Sequence, residues 1–291
     1  MLLSMTGFGR AIKIFESKKI SFEVKSLNSK QIDILLRYPT SYKEKEIDMR
    51  NMLINSIIRG KVDSLLTIED ANGKGKTEIN TALLESYYRQ LKKSAEQIGF
   101  AEPKDWLSVL VAIPDVLVGE TAQVDENEWL TVTQAIKEAL SELKKFRIRE
   151  GAVLEKLFRE KIKNIDNLLT QIPQYEDERL EKIKNRIVEN CNSIDNKVIF
   201  DENRFEQELI FYLEKLDISE EKLRLKTHLD YFLQSIDNEE GQGKKLGFIA
   251  QEIGREINTL GSKSNHSEMQ KLVVMMKDEL EQIKEQILNV L

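Results

Sequence analysis

The segment Gly243–His266, GKKLGFIAQEIGREINTLGSKSNH, concentrates side chains able to bind ions and move protons. Read as a helix from Lys244 to Leu260, it places Phe248, Glu252 and Glu256 on one stripe and Gln251, Arg255 and Asn258 on the next. Two carboxylates one turn apart repel by roughly a few tenths of a kcal/mol unless a cation lies between them. Arg255 or Lys245 could be that cation, which would make the pair purely structural. A divalent ion, Mn²⁺ or Mg²⁺, could equally be held by Glu252 and Glu256, because hard cations take oxygen ligands. The preceding helix carries Glu221, Arg224 and His228 on one face. An imidazole titrates near neutrality and suits general acid–base work at a 2′-hydroxyl or a leaving oxygen. The plainer role for His228 is a hydrogen bond to a neighbouring carboxylate. Past the helix, the hydroxyls and amides of Thr259–Asn265 lead to the second histidine, His266. Such a helix end is a common place for substrate contacts.

A second set of polar residues lies near the start of the chain. Arg10, Lys25, Lys30, Arg37, Arg59 and Lys61 fall at strand or helix ends, with Asn28 and Ser29 among them. A sheet edge bearing such residues can follow an RNA backbone through phosphate and 2′-hydroxyl contacts. Scattered surface cations are the alternative, and the net charge of −6 leans that way. Local surface charge, not the total, decides phosphate binding. Two glycine-rich stretches imitate phosphate loops and fail as such. Gly73-Lys74-Gly75-Lys76-Thr77 has Asp70 where a P-loop needs glycine, and it reads as a hairpin tip between two strands. Gly7-Phe8-Gly9 lacks the rest of a dinucleotide fingerprint, so its glycines are expected to allow a bulge or a close approach by another chain.

The elements that must position these residues divide the chain in two. With 32% charged residues, 7% aromatic and four prolines, long solvated helices are favoured over a sandwich or barrel. One cysteine, Cys191, excludes an internal disulfide and a cysteine-based zinc site, which suits a reducing, cytoplasmic setting. No apolar run reaches the roughly 18–20 residues of a membrane helix. MLLSMTGFGR has no basic segment before its apolar residues, so it does not read as a signal peptide. The expectation is an α+β fold. A mixed sheet-and-helix domain with its linker covers 1–128, and a long-helix domain covers 129–291, the two pivoting about residues 100–128.

In the first part, Gly9–Phe15, Ile20–Val24, Ile32–Leu36 and Val62–Ile68 read as strands, with Glu16–Lys19 turning between the first two. Tyr42–Ile58 reads as a helix burying Ile47, Leu53, Ile54, Ile57 and Ile58. Asn72-Gly73 signals a hairpin into a short strand Thr77–Ile79. Asn80 caps a helix bearing Leu84, Tyr87, Leu91, Ala95 and Ile98, Trp106–Val111 is a short helix, and Ile113–Glu128 is a connection.

From Trp129 the pattern is helical. Asp217-Ile218-Ser219-Glu220 has the form of a capping box, Gly241 and Gly243 break the next helix, and Gly261-Ser262 stops the one after. Met269, Val273, Met276, Leu280, Ile283, Ile287 and Val290 form an unbroken a/d seam. Packing within the helical half is its first reading and pairing between subunits its second. With the close-approach glycines Gly7 and Gly9, the seam suggests subunit contacts.

Several blocks together resemble the YicC/YloC family of bacterial endoribonucleases. They are SMTGFGR (Ser4–Arg10), EVKSLNSK (Glu23–Lys30), RYP (Arg37–Pro39), RGKVD (Arg59–Asp63), REG (Arg149–Gly151), Gln207–Phe232, Gly243–Asn265 and Glu281–Val290. The chain departs from the family pattern at Gly247, Gly254 and His266. The resemblance implies a metal-stimulated endonuclease for single-stranded RNA, assembled as a homo-oligomer, a hexameric ring closing over RNA. On that reading Glu252 and Glu256 hold the Mn²⁺ or Mg²⁺, His228 shuttles a proton, and Arg224 and Arg255 neutralise developing charge. Arg10, Lys25, Asn28, Arg37, Arg59 and Lys61 grip the RNA. A non-catalytic adaptor presenting transcripts to another ribonuclease is the competing reading. A scaffold working through helix pairing is a third, which leaves Gln251–Asn265 without a purpose.

Overall fold

Alternation of apolar and polar residues in the first seventy residues builds a four-stranded sheet, seen in a computed structural model of the chain. The structure describes residues 2–29, 31–70, 77–99, 101, 103, 105–113, 116–119, 124–193, 202–237 and 243–291. Lys30, residues 71–76, on which the hairpin-tip reading falls, and Gly241 lie outside them. The sheet runs β1 (Gly7–Phe15), β2 (Lys18–Leu27), β4 (Gly60–Asp70), β3 (Ile32–Arg37). β1, β2 and β4 pair antiparallel, while β3 lies parallel to β4, making the sheet mixed.

One face carries Ile20, Phe22, Val24, Val62 and Leu66 into a core closed by the first half of a 44-residue helix, α4 (Glu126–Leu169). Gly7 and Gly9 allow α4 to lie directly on β1. A Cβ at Gly9 would stand 2.7 Å from the Leu143 nitrogen and closer still to the Ala139 carbonyl. These glycines therefore serve an approach within the chain, not one between subunits. Buried Arg147 of α4 fastens the N-terminal arm to the sheet, donating to Ser26 Oγ at 2.6 Å and to the Met5 carbonyl at 3.3 Å. Burial holds its guanidinium below the ordinary arginine range. At the start of α4, Glu128 is buried between Lys18 and Tyr42, whose hydroxyl donates to it at 2.5 Å.

The helix read over Tyr42–Ile58 is a 3-10 turn (Thr40–Lys45) followed by α1 (Glu46–Ser56). Its buried residues are Tyr42, Met49, Leu53 and Ile57. Ile47 is 72% exposed, and Ile54 and Ile58 are exposed too, contrary to expectation. α1 carries apolar residues on two sides, Met49 and Leu53 toward the core and Ile47 and Ile54 toward solvent, so apolar spacing alone does not single out the buried face.

β5 (Thr77–Ile79) does not return along β4 as a hairpin. It pairs antiparallel with β6 (Leu117–Gly119), a strand inside the stretch read as a connection. Between them come α2 (Thr81–Ile98), capped by Asn80 through the Leu83 amide, and α3 (Trp106–Val111).

The second half of α4 supplies Phe158, Ile162, Ile165 and Leu169 to the bundle core. α5 (Glu176–Ser193) and α6 (Glu202–Lys215) follow, then α7 (Ser219–Asp237), α8 (Gly243–Lys263) and α9 (Ser267–Ile287). The sheet core and the bundle core thus share one continuous helix. The boundary drawn at 128/129 falls in its first turn.

The α9 seam is buried throughout inside the chain, packed on α4 and α8. It therefore gives no evidence of subunit pairing. Gly261 does not stop α8, which continues to Lys263. A Cβ there would meet Val273 Cγ1 at 2.9 Å, so the glycine brings α9 close. Gly243 is the first residue of α8 rather than a break, and lies against the Val290 carbonyl. The capping box takes another form: Asp217 accepts from the Ser219 amide and hydroxyl, while Glu220 pairs with Arg224. Among the described residues, no helix is long and apolar enough to cross a membrane.

Candidate functional site

The helices α7 and α8 lie antiparallel. Lys263 Nζ donates to Glu221 Oε1 at 2.7 Å at one end of their seam. At the other, the Lys245 ammonium lies 4.9 Å from the Tyr231 ring centroid. Counting turns between these two contacts puts His228 near the level of Glu252, and Arg224 near that of Glu256, along the helix axes. Glu252, Glu256 and His228 are partly buried along the seam, and Arg224 and Arg255 are exposed.

Glu252 is already partnered: its Oε1 accepts from Arg255 Nη1 at 2.8 Å. Arg224 is likewise paired with Glu220 on its own helix. The charge that the sequence left open between cation and metal is thus met, at Glu252, by Arg255. Among the described residues, no three His, Cys, Asp or Glu side chains converge as a metal cage. The donors present are two carboxylates one turn apart. They fit the open kind of Mg²⁺ site, where one or two carboxylates are completed by water and substrate phosphate.

His266 is set apart from this seam. Its imidazole is buried, stacked on Tyr175 at 5.3 Å between centroids, with Nε2 3.4 Å from Glu178 Oε2. That distance is too long for a strong hydrogen bond, and neither ring nitrogen has a hydrogen-bond partner among the described residues. Lys182, and to a lesser degree His266, hold the Glu178 carboxyl below the ordinary carboxylate range.

The N-terminal cations separate into two groups. Arg10, Lys25, Arg37 and Lys61 all project from the sheet face opposite α4, which no described element covers. The strand register aligns Phe8, Lys25, Asp63 and Leu35 in one row across that face, and Arg10, Glu23, Leu65 and Arg37 in the next. The Lys25 ammonium lies 5.8 Å from the Phe8 ring centroid. Arg10 pairs with Glu23 at 3.2 Å, and Arg37 grips both oxygens of Asp63 at 2.8 and 2.7 Å. Ile14, 77% exposed, and Ile12, Leu27 and Leu35 add apolar surface between the charges.

Asn28 and Arg59 are not on this face. They stand at the end of the sheet and bind the C-terminal segment: Asn28 Nδ2 donates to the Leu288 carbonyl at 2.6 Å, and Arg59 Nη2 to the Val290 carbonyl at 2.9 Å. Between them and the first turns of α8 opens a groove of about 440 Å³. Lys244, Phe248 and Gln251 line its α8 side, and Ile287 and Leu288 its floor. No local pattern announces this groove, because its walls come from opposite ends of the chain. The one clue was Phe248, an aromatic on an otherwise polar stripe.

An α+β module with an uncovered sheet face of mixed charge, joined through a shared helix to a helical bundle, defines the class. Residues 2–156 match the N-terminal region of the YicC-like endoribonucleases, and residues 172–291 match their C-terminal domain. The chain belongs to that family. It is 34% identical over 298 residues to a protein of Clostridioides difficile named probable endoribonuclease YicC, all of both chains being covered. A Haemophilus influenzae protein of the same name is 27% identical over 294 residues, covering 99% of each.

Proposed function

We propose that this chain is an endoribonuclease acting on single-stranded RNA. The observation that carries the reading is the gathering of Arg10, Lys25, Arg37 and Lys61, dispersed in sequence, onto one uncovered sheet face beside Phe8. Such a face suits phosphates and unstacked bases together, as single-strand binders require. Family membership over both parts of the chain supports the chemistry.

The seam of α7 and α8 is the proposed site of cleavage. Glu252 and Glu256 would hold a Mn²⁺ or Mg²⁺, which when bound supplies Lewis-acid polarisation of the scissile phosphate. His228 passes a proton at the attacking or leaving oxygen. Arg224 and Arg255, released from their helix partners by an incoming phosphate, neutralise charge that builds on the phosphoryl oxygens. The sheet face holds the strand and supplies salt-dependent affinity.

The adaptor reading has one observation in its favour: Arg255 already neutralises Glu252, and Glu220 already neutralises Arg224. Labelled single-stranded RNA, incubated with and without chelator, separates the readings. Cutting that stops with chelator supports the metal-assisted nuclease, and cutting that persists moves the attack to the RNA 2′-hydroxyl with His228 as base. Binding without cutting supports the adaptor. We further propose a homo-oligomer, the hexamer the resemblance implies, built on surfaces other than the buried α9 seam. A strictly monomeric species in light scattering would count against it.

A further inference from the structure

We propose that the groove between the sheet end and α8 is a subsite for one unstacked nucleotide of the RNA strand. The inference rests on the reading of the chain as a single-strand RNA enzyme and adds where a base is held. Three observations lead to it. The first is charge. Among the described residues the groove is lined by two cations, Arg59 and Lys244, and by no carboxylate, in a chain with 50 acidic residues against 44 basic ones. An anionic occupant meets attraction from these two side chains.

The second observation is shape and surface. Phe248 is 67% exposed and Leu288 65% exposed at the groove, large apolar groups that the fold itself leaves uncovered. A volume of about 440 Å³ falls within the roughly 300–1,000 Å³ of pockets that take small organic groups. A flat aromatic offers any base a stacking partner. The Gln251 carboxamide and the Asn28 oxygen add a donor and acceptors at the rim, suited to a base edge or a 2′-hydroxyl.

The third is position. Asn28 directly follows Leu27, and Arg59 precedes Lys61 by two residues, and both Leu27 and Lys61 lie on the uncovered sheet face. Gln251, at the other side of the groove, is next to Glu252 on α8. The groove therefore lies between the proposed strand-holding face and the proposed site of cleavage. A base seated there would fix which phosphate reaches the seam, giving the enzyme a register on an otherwise featureless backbone.

The test measures binding of labelled single-stranded adenylate and uridylate oligomers, intact or carrying an abasic ribose at each position in turn. Phe248→Ala removes the stacking surface, and Phe248→Tyr keeps it. Gly247→Leu fills the groove from its α8 side. The nearest atom to a Cβ at Gly247 is Ile287 Cγ2 at 3.7 Å, an ordinary contact, so the helix accepts a side chain. For the wild type, one abasic position weakens binding more than the others. Phe248→Ala raises Kd about tenfold and erases that difference, Phe248→Tyr restores it, and Gly247→Leu behaves like Phe248→Ala. If Phe248→Ala and Gly247→Leu bind as tightly as wild type while Lys25→Ala binds more weakly, the groove is not a subsite and the RNA reading stands. If the wild type binds no RNA at all, both readings fall together.

Discussion

On the proposed reading, Glu252 and Lys25 stand for two kinds of residue, one assigned to chemistry and one to affinity. Glu252 shares its charge with Arg255, so replacing it by glutamine removes a charge without opening a cavity. Glu252→Gln or Glu256→Gln is expected to abolish RNA cleavage while leaving affinity nearly intact, measured by gel assay of bound RNA. His228→Ala should slow cleavage about 10²-fold, the lower end of general acid–base contributions. Wild-type rates in both glutamine variants would place the site elsewhere. Lys25 is the opposite case. Its ammonium lies over Phe8, so Lys25→Ala should lower the slope of log affinity against log salt by about 0.7 and leave cleavage of bound RNA intact. Arg59 is no substitute for Lys25 in this comparison. Its bond to the Val290 carbonyl makes Arg59→Ala a change in the attachment of the two halves as well as in charge.

At the scale of elements, the packing of α4 on β1 is decided by the absence of a side chain. Gly9→Ala would drive a methyl into the Ala139 carbonyl and the Leu143 amide, backbone atoms of a helix that cannot move aside. The expected cost is about 1–3 kcal/mol, as for overpacked cores, read as a lowered midpoint in thermal unfolding. Asp217, ahead of α7, gives a pH effect. Its hydrogen bonds from the Ser219 hydroxyl and amide hold the carboxyl below the ordinary range. A depressed carboxylate stabilises fully above its unfolded pKa and loses that contribution as pH falls through the lower folded value. Asp217→Ala should therefore lower the melting midpoint at neutral pH and converge on wild type in strong acid. The elements themselves were largely legible, since period-two and period-3.6 patterns are local signals: the four strands and the helices from α4 onward follow from them. Pairing was not. β5 turns to β6 because partner choice depends on tertiary packing that Asn72-Gly73 does not encode. The cations of the sheet face could be named from the sequence, but only the strand register separates Arg10, Lys25, Arg37 and Lys61 from Asn28 and Arg59. Gly7, Gly9, Gly243 and Gly261 show the same limit. Each marked a special place, and the chain segment that comes close could be identified only from the fold.

At the scale of the whole molecule, the described residues join the two halves through α4, through the N-terminal arm, which sends Leu2 into the bundle core, and through the last four residues. The Leu288 carbonyl accepts from Asn28 at 2.6 Å, the Asn289 carbonyl from the Met5 amide at 2.8 Å, and the Val290 carbonyl from Arg59 at 2.9 Å. The Leu291 amide donates to the Leu3 carbonyl at 2.9 Å, and its own carbonyl accepts from the Gly243 amide at 3.1 Å. Ser4 and Val290 form a bridge, and Val290 and Leu291 are buried. This clasp brings N-terminal arm, sheet and α8 together, and the same contacts build one wall of the groove. Each such hydrogen bond contributes about 0.5–1.5 kcal/mol net, so losing the clasp costs several kcal/mol, against a typical total of about 5–15. A chain ending at Ile287 keeps α4, the sheet core and all of the bundle core but Val290, so it should fold, with a melting midpoint lowered by about 5–15 °C. Its RNA affinity should fall further than the loss of any one cation explains, because the sheet face and α8 no longer hold a common register. Joint engagement of two surfaces depends on their spacing being fixed. Measured side by side, the truncated chain and Lys25→Ala distinguish the causes: Lys25→Ala changes the salt slope, whereas the truncation lowers affinity at every salt concentration with the slope retained. A truncated chain that melts and binds like wild type would mean that α4 and the N-terminal arm hold the halves in place without the clasp.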